Sequence, residues 1–196
     1  IKNIKEANNV FNTIQGEVKN LSVENIELIE NRGLSGINTD RISLISTLNG
    51  GTLDNIQIKN MKIKLEDKDS YISDVYSGAL FGNEQNGGIV KNCTINNLTI
   101  DSDLKNVGTF YIGGIGGYAT KVQIYNCAVT DLNIAVEKSK VVQETAGIVG
   151  YFNGNIQDTY AEGKISSQTG YVGGIVGKQS GGAINNTYNK VDIEAR

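Results

Sequence analysis

The 196-residue chain has no His, no Pro and no Trp, and only two Cys and one Met. Without His it lacks Ser-His-Asp and Cys-His catalysis, HExxH zinc sites and imidazole pH switches. No apolar run approaches the roughly 18 residues needed to cross a bilayer, so no membrane span is expected. Positive charge is not clustered: Lys19, Lys59, Lys91, Lys121, Lys164 and Lys190 are scattered, and the formal net charge is −3. That distribution excludes a phosphate-tracking surface, so nucleic acid is not expected as a partner. The opening Ile1-Lys2-Asn3-Ile4-Lys5 has neither an initiator Met nor the apolar stretch of a signal peptide, and the chain stops at Arg196 without a polar tail. Both ends read as cuts through a longer polypeptide.

What is abundant is Gly, at 24 residues, and Asn, about as frequent. Helices disfavour both, whereas 39% hydrophobic content is enough to bury a core. A self-comparison reveals one unit returning six times. Its anchor is a polar residue with an aliphatic residue two positions earlier: Val18-Lys19-Asn20, Leu53-Asp54-Asn55, Val90-Lys91-Asn92, Ile124-Tyr125-Asn126, Ile156-Gln157-Asp158 and Ile184-Asn185-Asn186. The spacings are 35, 37, 34, 32 and 28 residues. Upstream lies a short Gly-framed strand, as in Gly113-Gly114-Ile115-Gly116-Gly117, Gly147-Ile148-Val149-Gly150 and Gly173-Gly174-Ile175-Val176-Gly177. Downstream lies an alternating stretch such as Asn60-Met61-Lys62-Ile63.

Three short strands per unit and no amphipathic helical window point to an all-β solenoid. Each unit buries its apolar face only by stacking on the next. Three inward ladders follow: Leu44, Leu80, Ile115, Ile148 and Ile175; then Val18, Leu53, Val90, Ile124, Ile156 and Ile184; then Ile26, Met61, Leu98 and Leu132. The expected fold is a parallel β-helix of about six coils, right-handed by the crossover preference. It forms a single domain over residues 1–196, with 1–17 as a cap and repeats from 18 onward. At each anchor the inward parity breaks, since the residues one and three positions on (Cys93 and Ile95, Cys127 and Val129) also face inward. The chain must bend there, and Asn suits a left-handed corner. Stacked corners would form an amide ladder, which is preferred to a row of sugar-binding Asn.

Candidates for chemistry have plain alternatives. Cys93 and Cys127 occupy one place in consecutive units, where parallel Cβ vectors at the rung spacing favour buried thiols over a disulfide. Glu66-Asp67-Lys68-Asp69 and Asp101-Ser102-Asp103 read as solvated loop charges, with glycosidase or lyase carboxylates and a weak calcium site as the other readings. The Gly113-Gly114 pair lacks the Lys-Ser/Thr of a P-loop and reads as backbone packing. Tyr160 and Tyr188 should face outward as a modest aromatic patch. No catalytic, metal or cofactor-binding residue is assigned, and no cofactor is expected.

The Gly-Gly-Ile-Val-Gly strand, variable turn, Ile-x-Asn-(Cys/Thr) and following strand resemble the GLUG motif, best over residues 146–165 and 172–193 and nearly as well over 112–134. Residues Phe11 to Val23, with Val18-Lys19-Asn20-Leu21, resemble the N-terminal region of streptococcal-type IgA-specific zinc metalloendopeptidases. The family's HExxH helix has no counterpart here, so no catalytic residue carries over. The resemblance implies a non-catalytic, monomeric, substrate-engaging or spacer segment of a bacterial surface or secreted virulence protein, with an immunoglobulin or another host glycoprotein as partner. A surface-adhesin repeat segment is the alternative, and a β-helix carbohydrate-active enzyme is a third class.

Overall fold

The computed structural model describes residues 1–30, 39–66, 72–104, 107–137, 143–168 and 170–195. Among the described residues there is no helix; the chain is built from strands. The first rungs contain β1 (Lys2–Ala7), β2 (Asn9–Ile14), β3 (Glu17–Ile29), β4 (Thr39–Asn49) and β5 (Thr52–Leu65). Next come β6 (Ile72–Gly78), β7 (Phe81–Gln85), β8 (Ile89–Lys91) and β9 (Thr94–Ser102), then β10 (Val107–Gly113), β11 (Gly116–Tyr125) and β12 (Ala128–Val136). The last are β13 (Gln143–Ala146), β14 (Val149–Gln157), β15 (Tyr160–Ser167), β16 (Tyr171–Gly173), β17 (Val176–Asn185) and β18 (Tyr188–Ala195).

The pairings run from one turn to the next and are parallel, as in β10 with β6 and β13, β11 with β14, and β12 with β9 and β15. This is a parallel β-solenoid. Its registers reproduce the expected ladders: Val18 pairs with Leu53, Leu53 with Val90, Val90 with Ile124, Ile124 with Ile156 and Ile156 with Ile184. Ile26, Met61, Leu98 and Leu132 are likewise in register and buried. Leu44, Leu80, Ile115 and Ile148 are fully buried on the Gly-framed side. Stacking brings identical chemistry together every ~4.8 Å, so a short strand that could not bury its apolar face alone shares a continuous core.

The expected count of about six coils is not confirmed. About four turns, built from β4 to β15, have a buried interior. At the two ends, inward residues such as Val10, Phe11 and Val18, or Ile175, Ile184 and Val191, are only partly buried. An end rung has one neighbour instead of two, so half of each apolar surface stays open. Residues 1–17, expected as a cap, supply β1 and β2, which pair in parallel with β3 and β4, the β1 pairing with a register shift between Ile4 and Ala7.

Every anchor residue adopts the left-handed conformation, with φ of 55° at Asn20, 54° at Asn55, Asn92 and Asn126, 49° at Asp158 and 47° at Asn186. Their side chains form the ladder: Asn55 Nδ2 donates to Asn20 Oδ1 at 2.8 Å, and Asn126 Nδ2 to Asn92 Oδ1 at 2.7 Å. Asn92 Nδ2 departs from the pattern and donates to Asp54 Oδ1. A second corner follows five residues on. Asn25, Asn60, Asn97 and Asp131 also have positive φ, and Asn60 donates to Asn25 and Asn97 to Asn60. The winding therefore has a short side of four residues between two Asn corners.

Candidate functional site: an aromatic seam

Where the Gly-framed strand turns from one side to the next, the corner is concave. A Cβ on Gly117 would lie 2.5 Å from the Ser77 nitrogen and 2.8 Å from the Tyr111 oxygen, so the backbones of the two sides are nearly in contact there. Outward side chains on either side of such a corner meet each other instead of diverging. On one wall, Arg41, Tyr76, Tyr111, Glu144 and Tyr171 are in register along β4, β6, β10, β13 and β16. On the other, Thr47, Asn83, Tyr118, Tyr151 and Lys178 are in register along β4, β7, β11, β14 and β17.

The two columns interdigitate. Ring centroids are 5.2 Å apart for Tyr76 and Tyr118, 5.3 Å for Tyr111 and Tyr118, 5.4 Å for Tyr111 and Tyr151, and 4.9 Å for Tyr118 and Tyr151. These are favourable aromatic separations. Arg41 lies over the Tyr76 ring at one end, and Lys178 lies over Tyr151 and Tyr171 at the other. Five of the chain's nine tyrosines are on this seam. Burial raises the Tyr76 hydroxyl to about 12, and also pushes up those of Tyr111 and Tyr118, so the phenols stay neutral donors. Glu144, buried with Nζ of Lys178 3.8 Å away, is raised by the same cause. Two buried polar atoms on the same walls, Asn83 Oδ1 and Arg41 Nε, have no hydrogen-bond partner.

Sequence reasoning missed the seam. Its signal was Tyr or a polar residue four positions before, and three after, the aliphatic of the Gly-framed strand, as in Tyr111 and Tyr118 around Ile115. The Tyr160–Tyr188 pair that was singled out does stack, with centroids 4.9 Å apart and planes at 7°, on a different side of the solenoid. Tyr188 donates to Glu162, which also pairs with Lys190.

Cys93 and Cys127 are free and buried. Each thiol bonds back to the carbonyl two residues earlier, Lys91 and Tyr125, and the Cys93 N–H donates to the Cys127 sulfur. Thr159 repeats the arrangement one rung on: its hydroxyl donates to Gln157 O and accepts from the Cys127 N–H. The neighbouring Cys93 thiol and burial raise Cys127 well above the ordinary thiol value. The same contact with Cys127 lowers Cys93, so the pair splits, but both sulfurs are buried in a column that connects the turns.

The acidic candidates lie at the end of the third side. Glu66, Asp101, Asp103 and Glu137 border a groove of about 360 Å³ with Lys64 and Ser102. Lys62 bridges to Asp101 at 3.4 Å. Among the described residues no three acidic, Cys or His groups are placed to hold a metal. Asp67, Lys68 and Asp69 lie outside the described residues. Gly113 and Gly114 are packed against the next turn, consistent with backbone packing: a Cβ on either would strike the backbone of Ile148 or Gly147.

No family model, curated protein or solved structure matches the chain. The fold and site define a class on their own: a parallel β-solenoid with an external groove of stacked tyrosines.

Proposed function

We propose that this chain is a non-catalytic, partner-engaging or spacer segment of a bacterial surface or secreted protein of the IgA-specific metallopeptidase type. The observation that carries the reading is the tyrosine seam, a fixed aromatic surface on a scaffold whose rungs hold it in register. The absence of His leaves the chain without imidazole chemistry, and the GLUG-like repeats supply the surface-protein context. In this reading a host immunoglobulin or glycoprotein is held on the seam while chemistry, where there is any, happens on another domain. The right-handed winding and the six repeat units belong to the same reading, as do the extracellular location and the monomeric state.

The alternative is a repeat segment of a surface adhesin with no peptidase attached; the exposed Tyr188 platform, which adds a second contact surface, favours it. Incubating the purified chain with immunoglobulin A and zinc, and following binding and cleavage separately, tests both. Binding without cleavage supports the proposal. Cleavage by a contaminant-free sample overturns the non-catalytic reading, and binding confined to other host glycoproteins moves the assignment to the adhesin.

A further inference from the structure

We infer that the seam is a binding groove for a linear, neutral oligosaccharide; this deepens the partner-engaging reading and rests on it. The first observation is what the walls do not offer. Backbone N–H and C=O groups along the sides are engaged in the parallel ladders between turns, as in Tyr111 with Tyr76 and Glu144. An extended peptide gains affinity by adding to a free strand edge, and the wall of a solenoid has none. Recognition on the seam must go through side chains alone.

The second observation is which side chains these are. Tyrosine combines an apolar ring with a hydroxyl that donates and accepts, which matches a ligand carrying apolar C–H faces bordered by hydroxyls. Asn83 Oδ1 and Arg41 Nε are buried at one end without partners, a destabilising state unless something satisfies it. Both atoms are closed to solvent, so a ligand reaches them as the Asn83 and Arg41 side chains turn outward, and a hydroxyl-bearing one then supplies both the donor and the acceptor they lack. The charges along the walls are taken up within the protein, which favours a neutral ligand: Arg41 lies over the Tyr76 ring, Lys178 at the far end is engaged by Glu144, and Asp74 accepts from the Tyr76 hydroxyl. From the Arg41 rung to the Lys178 rung is four steps of ~4.8 Å, about 19 Å, so the groove is long and takes a chain of several sugars.

The test titrates chitotetraose, cellotetraose and mannotetraose into the full chain by calorimetry and saturation-transfer NMR. At least one is expected to bind, and Tyr111→Ser and Tyr118→Ser to weaken it about tenfold or more. Tyr111→Phe and Tyr118→Phe keep the stack and remove only the hydroxyl, so a loss in these variants is independent of any folding defect. Tyr125→Ser, outside the seam, is expected to change nothing. Failure of all three sugars to bind, or binding indifferent to the Tyr111 and Tyr118 variants, overturns the inference. The two readings separate on immunoglobulin A with and without enzymatic removal of its glycans. Seam-dependent binding that survives deglycosylation refutes the oligosaccharide and keeps the partner role. Tetrasaccharide binding with no affinity for the immunoglobulin keeps the groove and refutes that partner.

Discussion

The side-chain amide of Asn126 donates to the side-chain oxygen of Asn92 at 2.7 Å, from one left-handed corner to the corner of the preceding turn. Two properties of Asn are used at once, its tolerance of positive φ and its amide, and substitution separates them. Asp takes the same corner at position 158 with φ of 49°, so Asn126→Asp keeps the backbone and loses only the amide donor. Its expected cost is about 1 kcal/mol or less. Asn126→Ala loses the bond and also the short polar side chain that lets Asn tolerate the left-handed region, for a total of about 2 kcal/mol. Urea midpoints with an unchanged m-value measure both; equal costs for Asp and Ala would show that the corner carries no conformational strain.

Glu84 acts as an internal staple. Its buried carboxylate accepts from the backbone nitrogens of Gly87 at 2.6 Å and Gly88 at 3.2 Å on its own turn. It also accepts from Thr120 at 2.9 Å and Lys121 at 2.8 Å on the next turn. Four N–H donors converge where the strand ladder is interrupted between β7 and β8. Glu84→Gln turns an NH₂ toward donors and is expected to cost about 2–4 kcal/mol, with Glu84→Ala costing more. Native-state hydrogen exchange gives a local readout: the Thr120 and Lys121 amides should lose protection first. Unchanged protection there would contradict the staple.

Much of this architecture was legible because a solenoid turns a one-dimensional period into a three-dimensional neighbour list. The parity break after each anchor located the first corner, and the structure places positive φ at all six anchors. The second corner carried the same signal. Buried Val23 and Ile26, or Ile58 and Met61, are three residues apart where a flat strand would place them two apart. In the sequence it merges with the downstream alternating stretch, because alternation resumes immediately afterwards. The seam was not legible in that way. Tyr111 and Tyr118 are seven residues apart on different walls, and only the concavity of the intervening corner brings them together. Concavity comes from how closely two backbones approach at Gly117, which no single-strand pattern encodes.

The Cys93–Cys127–Thr159 column predicts silent thiols. In the native protein both cysteines should react slowly with a thiol reagent, and two thiols should appear once the chain is unfolded. Cys127→Thr copies the neighbouring rung and is expected to cost under about 1.5 kcal/mol, while Cys127→Asp should prevent folding. Recovery of no free thiol from unreduced, unfolded protein would mean that the two sulfurs are bridged.

The last prediction uses pH at the seam. Glu144 is buried, and that burial raises its carboxyl above the ordinary 4.5, with Lys178 opposing the shift. A raised folded-state value means the folded chain retains a proton that the unfolded chain has already released. The group's contribution to stability is therefore intact below the unfolded value and is lost as pH rises through the folded one. Glu144→Gln keeps the site neutral at every pH and gives up only a partly exposed ion pair at 3.8 Å, which is worth little. The variant should therefore melt higher than the native chain at about pH 7, and the two curves should merge at about pH 3.5, where Glu144 is protonated in both states. Tyr76 supplies the alkaline counterpart with the same sign: held near 12 in the fold against 10.0 ordinarily, it withdraws stability as pH climbs between those values, and Tyr76→Phe should flatten that loss. A Glu144→Gln variant less stable at neutral pH than at acid pH, relative to the native chain, would show that the Lys178 pair outweighs the burial of the carboxylate.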